Sequence, residues 1–352
     1  MCIRDRLMVD GLRVGVIGGS IGGCTAAAEL IRAGCEVTVL ERSIGSLEGR
    51  GAGIGTPMAT FDRLIERDLI DASTPRTVLT RHALVGLDPD GERVGRAPLV
   101  LPMEMATLHW RDLWGQLRAR VPDDVYVEAT GVERLVDIGS DSPGVELTDG
   151  SELRFDLVVC ADGYASAARG QLFPASRLDY RGYVLWRGLL SEADVEDAGP
   201  LEDTLFRFSF ADLGGNGVFY FVPGDDGSVV PGERFVNWAH YIPVPVEELE
   251  TFLTDKDGIV HQHSLPPGGM PPQQEALLRE LIRNHLPPYF AELTAQTSNT
   301  FAQPIFTFTP DTYRVGRCCM IGDAAAVVAP FTGSGVFKSS NNAIDLAQAL
   351  SL

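Results

Sequence analysis

The chain has 352 residues, of which 45% are hydrophobic and 22% charged, and a formal net charge of −19 at pH 7. This length and composition are typical of a globular protein with two domains and exclude a disordered or fibrous one. The surplus of negative charge repels phosphate backbones and anionic membranes, so no nucleic-acid partner is expected. No apolar run reaches the roughly 18 residues of a membrane-spanning helix, so no integral membrane association is predicted.

The cysteines and the N-terminal residues indicate in which cellular compartment the protein is located. Of six cysteines, none forms a CxxC pair and most lie in apolar strand or helix patterns, which indicates reduced structural thiols and a cytoplasmic location. The first six residues lack the apolar core of a secretory signal. The single His-x-His pair, His261 and His263, lies in a Pro- and Gly-rich stretch, and no metal site is predicted.

The N-terminal region has the pattern of a βαβ unit. Residues 12–17 form a short apolar strand that ends at Gly18, and residues 21–33 form a helix that Gly34 terminates. Residues 36–40 alternate valine with other residues, which predicts a second strand parallel to the first.

The loop between the first strand and the helix is rich in small residues. Such residues let the backbone approach a pyrophosphate, whose charge the helix N-terminus receives; they are Gly18, Ser20, Gly22 and Gly23. Ser20 replaces the second glycine of the usual GxGxxG pattern. Glu41 follows the second strand, 23 residues after Gly18, where an acidic residue accepts hydrogen bonds from a ribose. This context favours a dinucleotide site over a tight turn followed by a surface acid.

The remaining predicted elements show two different patterns of hydrophobic residues. Up to residue 174 the sequence predicts a helix at 59–69, a hairpin at 82–87 and 92–96, a helix at 111–120, and strands at 126–135, 144–148 and 155–160. Strands rich in aromatic residues then alternate as in an antiparallel sheet, at 183–190, 204–210, 217–222 and 234–241. Helices at 246–254 and 273–284, a buried strand at 317–321 and a helix at 334–350 complete the chain.

These two patterns predict an α/β fold in which a Rossmann-like nucleotide-binding domain is interrupted by an antiparallel-sheet substrate domain. The nucleotide-binding domain is assigned residues 11–78, 104–178 and 300–352. The substrate domain is assigned residues 79–103 and 179–299.

Three motifs in a fixed order carry a family resemblance. The first is VIGGSIGG at 16–23 with Glu41-Arg42, the second is DLVVCADGYASAAR at 156–169, and the third is MIGDAA at 320–325 followed by PFTGSG at 330–335. The segment YRGYVLWRG at 180–188 is similar to dihydroxypyridine and urate hydroxylases. Together they resemble the FAD-dependent aromatic hydroxylases typified by para-hydroxybenzoate hydroxylase, most closely the 2,6-dihydroxypyridine 3-hydroxylase branch.

The resemblance implies that the nucleotide-binding domain holds FAD and that NADH or NADPH and O₂ are co-substrates. The reaction implied is hydroxylation of a small aromatic or heteroaromatic ring through a flavin C4a-hydroperoxide. Beyond the glycine loop and Glu41, the FAD contacts implied are Arg42, Arg50, Gly53, Arg111, Asp162, Gly322, Asp323, Gly333, Ser334 and Gly335. Asp323 belongs on the ribityl hydroxyls, and the helix N-terminus at Gly333–Gly335 belongs on the flavin pyrimidine edge. Taken alone, Asp323 equally fits a turn, Arg50 a solvated surface, and Arg169 a loop stabilised by Asp162.

The substrate side is less determined. Ring hydroxylation needs an electron-rich ring, usually made so by deprotonating a hydroxyl group, and Tyr220 and His240 are the candidate bases or relays on the antiparallel sheet. The resemblance places the carbonyl of Pro330 near the substrate hydroxyl, and Arg187 or Arg207 could hold an anionic group. By alternation, Tyr220 faces with Val218 and Val222, while Phe219 and Phe221 take the other side. Each candidate also fits a packed sheet residue.

Two alternatives remain open at this point. The first is a flavin-dependent halogenase, because residues 238–243 resemble the WxWxIP motif of that family, with His240 at the second tryptophan. The second is a flavin-binding reductase or degenerate flavoprotein, because Ser20 departs from the motif and the helices that the family has after the position of Leu352 are not in this sequence. The motif around Asp162 favours direct reduction by a nicotinamide and so the hydroxylase. The ring, the choice of nicotinamide and a homodimeric state are left open.

Overall fold

The computed structural model describes residues 9–45, 47, 52–87, 91–210, 212–330 and 333–351. The strands are β1 (Arg13–Ile17), β2 (Glu36–Leu40), β3 (Gly53–Pro57), β4 (Thr77–Gly86), β5 (Arg96–His109), β6 (Tyr126–Val127), β7 (Val132–Val136), β8 (Gly144–Leu147), β9 (Glu152–Arg154), β10 (Leu157–Cys160), β11 (Asp179–Ser191), β12 (Thr204–Phe210), β13 (Gly215–Val222), β14 (Phe235–Pro243), β15 (Phe301–Thr307), β16 (Arg314–Val315) and β17 (Cys318–Met320). The helices are α1 (Ile21–Arg32), α2 (Met58–Glu66), α3 (Trp110–Arg118), α4 (Ala167–Leu172), α5 (Leu249–Phe252), α6 (Pro272–Arg283), α7 (Pro288–Gln296), α8 (Gly322–Ala325) and α9 (Gly335–Ser351).

A six-stranded sheet in the order β16-β17-β10-β1-β2-β6 forms the half of the molecule that contains the glycine loop. β1 pairs in parallel with β2 and β10, and β17 pairs in parallel with β10. Val14 and Val16 of β1 pack on one face and Ile17 on the other, and all three are buried. Parallel strands are apolar on both faces because both faces are covered. The predicted α/β fold is confirmed.

Two helices of this half pack closely. Alanines of α1 and α9 belong to one buried cluster, so the helix axes can approach each other; they are Ala26, Ala27, Ala343 and Ala347. A Cβ on Gly22 would lie 3.6 Å from the Cβ of Ser339. The first turn of α1 therefore lies beside the second turn of α9, although more than 300 residues separate them.

An eight-stranded sheet in the order β15-β11-β14-β13-β12-β4-β5-β3 forms the other half. Its outer face carries Phe219 and Phe221, which share a core with residues of α6 and α7. Its inner face carries Val218, Tyr220 and Val222. The predicted alternation along β13 is therefore confirmed. A third, three-stranded sheet joins β7, β8 and β9.

Several predicted elements differ from the structure. The predicted strand at 92–96 is wrong, because the partner of β4 is β5, which starts at Arg96 and runs fourteen residues. The first half of β5 is exposed, so no apolar alternation signals it. The predicted strand at 126–135 is split into β6 and β7 around Ala129, whose φ is +54°. The helix predicted at 246–254 reduces to a 3₁₀ turn and the four residues of α5.

The division into domains stays a prediction. The eight-stranded sheet includes β3 and β15, whose residues fall in ranges assigned above to the nucleotide-binding domain. None of the helices among the described residues is both long and apolar enough to cross a membrane.

Candidate functional site

The three motifs meet at the carboxyl ends of the parallel strands. β1 leads into the loop at Gly18, β2 into Glu41, β10 into Asp162 and β17 into Gly322. Backbone hydrogen bonds join these ends, from Gly18 N–H to the Leu40 carbonyl at 2.9 Å and from Ile321 N–H to the Cys160 carbonyl at 3.0 Å. In parallel sheets this edge is where ligands bind. We call residues 18–23, 41–43, 161–163 and 321–323 the carboxyl edge.

Three glycines of the loop, Gly18, Gly19 and Gly23, leave no room for a side chain. A Cβ on Gly18, whose φ is +95°, would lie 2.6 Å from the Ala161 carbonyl oxygen. A Cβ on Gly19 would overlap the Tyr126 hydroxyl, and one on Gly23 would overlap the Gly18 carbonyl oxygen. The backbone is thus bare at the start of α1, where Ser20 is the N-cap without a side-chain capping bond. The first-turn N–H groups can receive an anion.

Glu41 is buried and bonded at both carboxylate oxygens. Gly19 N–H donates to Oε2 at 2.8 Å, and Ser43 N–H donates to Oε1 at 2.9 Å. The carboxylate therefore ties the glycine loop to the end of β2. Each oxygen keeps a second lone pair, which a ribose hydroxyl can use. The neighbouring Arg42 is exposed.

Asp162 provides an unpaired acceptor. Its Oδ2 accepts from Ala168 N–H at 3.3 Å, while Oδ1 is inaccessible to solvent and has no hydrogen-bond partner. Burial raises the pKa of this carboxyl group. Because buried polar atoms normally have partners, the orphaned oxygen beside the Gly18 loop fits a ligand hydroxyl.

Arg169 joins two of the motifs instead of facing a ligand. Its Nη1 donates to the carbonyl oxygens of Asp323 and Ala324, each at 3.2 Å, and its Nη2 donates to the Tyr164 carbonyl. The side chain is almost fully buried. The proposed pairing of Arg169 with the Asp162 side chain is therefore replaced by bonds to backbone carbonyls.

Asp323 lies in the first turn of α8, where β17 ends. Gly322, with a φ of +58°, makes the turn, and a Cβ there would lie 2.9 Å from Ser339 Oγ. The Asp323 carboxylate is 48% exposed, and its Oδ1 forms an ion pair with Lys338 Nζ at 2.6 Å. The carboxylate is thus accessible at the edge but already has a cationic partner.

The start of α9 lies against β3. Gly333 has a φ of +63°, and a Cβ on it would approach Met105 Cε at 3.7 Å and the Gly55 carbonyl oxygen at 3.9 Å. Ser334 precedes the helix, and Gly335, its first residue, has open space where a Cβ would be. Pro330 is exposed, and its carbonyl accepts from Gly333 N–H at 3.0 Å. Residues 331–332 and Arg50 lie outside the described residues.

Arg111 sits in the first turn of α3, as predicted, but it has acidic partners. Nη1 contacts Asp225 Oδ1 at 3.1 Å, Nη2 donates to the Asp225 carbonyl at 2.6 Å, and Nε lies 3.4 Å from Asp112 Oδ1. The Asp225 carboxylate is 76% exposed. An anionic ligand would have to compete with it for this guanidinium.

On the inner face, two side chains converge on the strand β3. The Tyr220 hydroxyl donates to the Gly53 carbonyl at 3.3 Å, and Arg187 Nη2 donates to the same oxygen at 2.6 Å. Asn237 is fully buried beside them, with neither amide atom bonded. Burial raises the pKa of the Tyr220 phenol. Gly53, which the resemblance names as an FAD contact, is the first residue of β3.

His240 lies on the other face. Its ring stacks at 4.7 Å from Trp238, and Nε2 contacts Thr294 Oγ1 at 3.0 Å, among the residues that α6 and α7 cover. Burial lowers its pKa to about 3. The sheet therefore separates it from Tyr220, and this placement argues against a proton-transfer role beside Tyr220. Arg207 pairs in register with Val218 and so belongs to the inner face.

A cleft of about 190 Å³ opens next to the carboxyl edge. It is lined by Tyr164, His263, Ser264, residues 303–306, Asp323, Val327, Val328 and Pro330. Tyr164 stacks on Phe306 with ring centroids 6.4 Å apart. A larger hollow of about 480 Å³ lies at the opposite, amino ends of β1 and β2, among Arg13, Cys35 and Glu36. Of these two clefts among the described residues, the smaller one adjoins the motifs.

Four residues in or beside the candidate site were not predicted from the sequence. Trp114 Nε1 and the Tyr126 hydroxyl both donate to the Gly19 carbonyl, at 2.9 and 3.1 Å. Their distance along the chain leaves no local signal. Asn237 likewise has none. Lys338 did have a sequence signal, because a cation in the first turn of a helix is unusual.

These features fit a bound dinucleotide. The bare loop at α1, the Glu41 lone pairs and the orphaned Asp162 oxygen provide the donors and acceptors that a pyrophosphate and ribose need. The open helix start at Gly335 provides a positive end near β3. Among the described residues, no cluster of three or more metal-ligating side chains is found.

Comparison with known proteins gives consistent matches. The family model for FAD binding domain-like proteins matches residues 180–307. The chain is 30% identical over 353 residues to 2,6-dihydroxypyridine 3-monooxygenase of Paenarthrobacter nicotinovorans, covering 96% of this chain and 82% of that protein. It is also 30% identical over 354 residues to Aurachin C monooxygenase/isomerase of Stigmatella aurantiaca, covering 98% and 82%.

A solved structure extends this similarity to three dimensions. The 2,6-dihydroxypyridine-3-hydroxylase from Arthrobacter nicotinovorans superposes with a TM-score of 0.86 at 26% identity. The match covers 97% of this chain and 84% of that one. The sequence and structural matches therefore extend over both sheets and all three motifs.

Proposed function

Because this chain belongs to the FAD-dependent aromatic monooxygenases, we propose that it hydroxylates a small hydroxylated heteroaromatic ring, using NADH or NADPH and O₂. The main observation that supports this proposal is that the glycine loop, Asp162 and Asp323 come together at the carboxyl edge. The inner face of the second sheet adjoins this edge. Hydroxypyridines are the first candidate substrates. The relative that matches 96% of this chain is named 2,6-dihydroxypyridine 3-monooxygenase.

We propose that Gly18, Ser20, Gly22, Gly23 and Glu41 hold the adenosine and pyrophosphate half of FAD. Arg42, Arg50, Gly53, Arg111, Asp162, Gly322, Asp323, Gly333, Ser334 and Gly335 are assigned to the remainder. When bound, FAD supplies hydride acceptance from the nicotinamide and the activation of O₂. The supporting observations are the bare backbone of the loop, the free Asp162 Oδ1 and the open start of α9.

On the substrate side we assign Tyr220 and Pro330. The raised pKa of Tyr220 keeps its phenol protonated near neutral pH, so Tyr220 orients a substrate hydroxyl by hydrogen bonding and does not act as the base that removes its proton. The Pro330 carbonyl keeps one lone pair beyond its bond to Gly333 and can accept from a second hydroxyl group of the substrate. His240 is left out of this assignment because it lies across the sheet.

The test is oxidation of NADH and NADPH by the FAD-loaded protein with a panel of hydroxypyridines, purines and phenols. We expect a hydroxypyridine to stimulate nicotinamide oxidation, with a product heavier by one oxygen atom and no separate reductase required. If no ring compound stimulates oxidation of NADH or NADPH, the proposal is contradicted and the flavin-binding reductase is favoured. Dependence on an added reductase and halide would favour the halogenase.

We also propose that the protein is cytoplasmic and acts as a homodimer. The location is supported by the free thiols of the five described cysteines, which suit a reducing compartment. Light scattering at micromolar concentration tests the homodimer, and the mass of a monomer would contradict it.

A further inference from the structure

Lysine is rare in this protein, and one lysine occupies an unusual place. Of 29 lysine and arginine residues, only Lys256 and Lys338 are lysines. Lys338 lies in the first turn of α9, with its side chain 13% exposed. Nζ lies 2.6 Å from Asp323 Oδ1 and also donates to the Ala326 carbonyl.

Helix stability does not account for this charge. The N-terminal end of a helix carries a partial positive charge, so a cation in its first turn is unfavourable there, whereas an acidic residue would be favourable. The first turn of α9 has no acidic residue of its own. The nearest compensating group is the Asp323 carboxylate, which belongs to α8 and not to this helix.

Fixing α8 in place does not require Lys338 either. Arg169 already donates to the carbonyl oxygens of Asp323 and Ala324 from the other side. Gly322 N–H donates to Asn342 Oδ1 at 3.2 Å, which ties the same turn to α9 through a neutral side chain. Lys338, which is 13% exposed, is therefore retained beside a turn whose backbone two other contacts already hold.

We propose that Lys338 is a positioning residue for FAD that adds a full positive charge to the start of α9 and so favours the reduced, anionic cofactor over the oxidised one. This rests on the proposed function, which places FAD between Asp323 and Gly333–Gly335. Its ion pair with Asp323 fixes the ammonium beside the carboxylate assigned to the ribityl chain. A positive charge near the site where negative charge develops lowers the free energy of that state.

The experiment measures the midpoint potential of the bound FAD by equilibration with reference dyes, and the dissociation constant of oxidised FAD by fluorescence. Lys338→Met removes the charge and the hydrogen bonds, Lys338→Gln keeps a donor without the charge, and Lys338→Arg keeps the charge. Lys256→Met is the matched control, because it removes the only other lysine.

We expect Lys338→Met and Lys338→Gln to lower the affinity for reduced FAD about tenfold relative to oxidised FAD, a potential about 30 mV more negative. Lys338→Arg should stay near the wild-type potential, and Lys256→Met should match wild type. Lys338→Gln potentials equal to those of Lys256→Met would overturn the inference, whatever happens to thermal stability.

The outcomes separate this inference from the proposed function. A wild-type protein that binds no FAD would defeat both. A wild-type protein that binds FAD and hydroxylates a ring, with the same potential in Lys338→Gln, would defeat the Lys338 inference alone. If Lys338→Met does not fold, the Gln and Arg variants still give the comparison of charged with uncharged side chains.

Discussion

The carboxyl edge and the inner face differ in what they are made of. At the edge, the bare backbone of the glycine loop forms much of the candidate site, with the carboxylates of Glu41 and Asp162 beside it. On the inner face, side chains of several strands form it, with Tyr220 from β13, Arg187 from β11 and Asn237 from β14. A backbone site depends on chain geometry, whereas a side-chain site depends on which face each residue takes.

This difference suits the two tasks. A pyrophosphate is the same in every FAD, so a fixed cradle of N–H groups can serve it without variable side chains. A ring substrate differs among enzymes, and single substitutions on a sheet face can change which ring fits without disturbing the sheet ladder. The contrast predicts that small substitutions at the carboxyl edge strongly weaken FAD binding. Substitutions on the inner face should mainly change which ring substrate fits.

The largest expected effect is that of Gly23→Ala. A Cβ there would overlap the Gly18 carbonyl oxygen, which is backbone and cannot rotate away. We expect a loss of stability of about 2–3 kcal/mol, as for overpacked sites, and loss of FAD during desalting. Gly115→Ala, in α3, is the matched control, because a Cβ on Gly115 would meet nothing within 4 Å. Thermal unfolding and absorbance at flavin wavelengths give both readouts, and equal behaviour of the two variants would break the comparison.

Glu41→Ala should come next. It leaves the N–H groups of Gly19 and Ser43 without their acceptor and removes the ribose contact. We expect FAD affinity to fall about 10- to 100-fold, from the loss of about 1.5–3 kcal/mol of charge-assisted hydrogen bonding. Apoprotein stability should also fall, because the bonds exist without FAD. Glu36→Ala, at the exposed start of the same strand, is the control. Unchanged affinity of Glu41→Ala in a fluorescence titration would mean that Glu41 ties the glycine loop to the end of β2 and does not bind the ribose.

A third test uses the two faces of the second sheet. His240 is neutral in the folded protein down to a pKa of about 3, whereas unfolding restores an ordinary pKa near 6.5. The unfolded state therefore binds the extra proton first, and His240 costs stability as the pH falls below about 6.5, by up to about 1.4 kcal/mol per pH unit.

His240→Gln keeps a donor for Thr294 and removes this titration. We expect its denaturant midpoint to change less between pH 7 and pH 5 than that of wild type. Tyr220→Phe is the control on the inner face, where we expect the wild-type pH dependence of stability but a lower yield of product per nicotinamide. Identical pH dependence in His240→Gln and wild type would show that His240 is not the group responsible.

What the sequence could predict follows the same division. The glycine loop, Glu41, Asp162 and Asp323 each lie within two residues of the end of a predicted strand, so their convergence at one edge follows from parallel pairing alone. Trp114 and Tyr126 meet Gly19 from about 100 residues away, and no periodicity encodes such contacts.

On the inner face the sequence predicted the alternation of β13 but not which strands were in register. The separation of Tyr220 from His240 depends on the pairing of Tyr220 with Asn237 and of Gly217 with His240, which adjoining strands decide. A one-residue shift would exchange the faces. Candidate residues on different strands could therefore be named, but not placed together.

The smallest expected effect concerns Arg111, where the edge and the second sheet meet. Asp225, on the loop after β13, occupies the guanidinium that the family resemblance assigns to FAD. Asp225→Asn removes that competing charge while keeping the side-chain volume. Because the Asp225 carboxylate is mostly exposed, its pairing contributes no more than about 1 kcal/mol, so FAD affinity should rise about two- to fivefold. Asp123→Asn breaks a similar exposed pair with Arg118 and should leave affinity unchanged. Unchanged affinity in both variants would mean that Arg111 serves the Asp225 loop and not the cofactor, and the backbone groups would then hold the pyrophosphate without it.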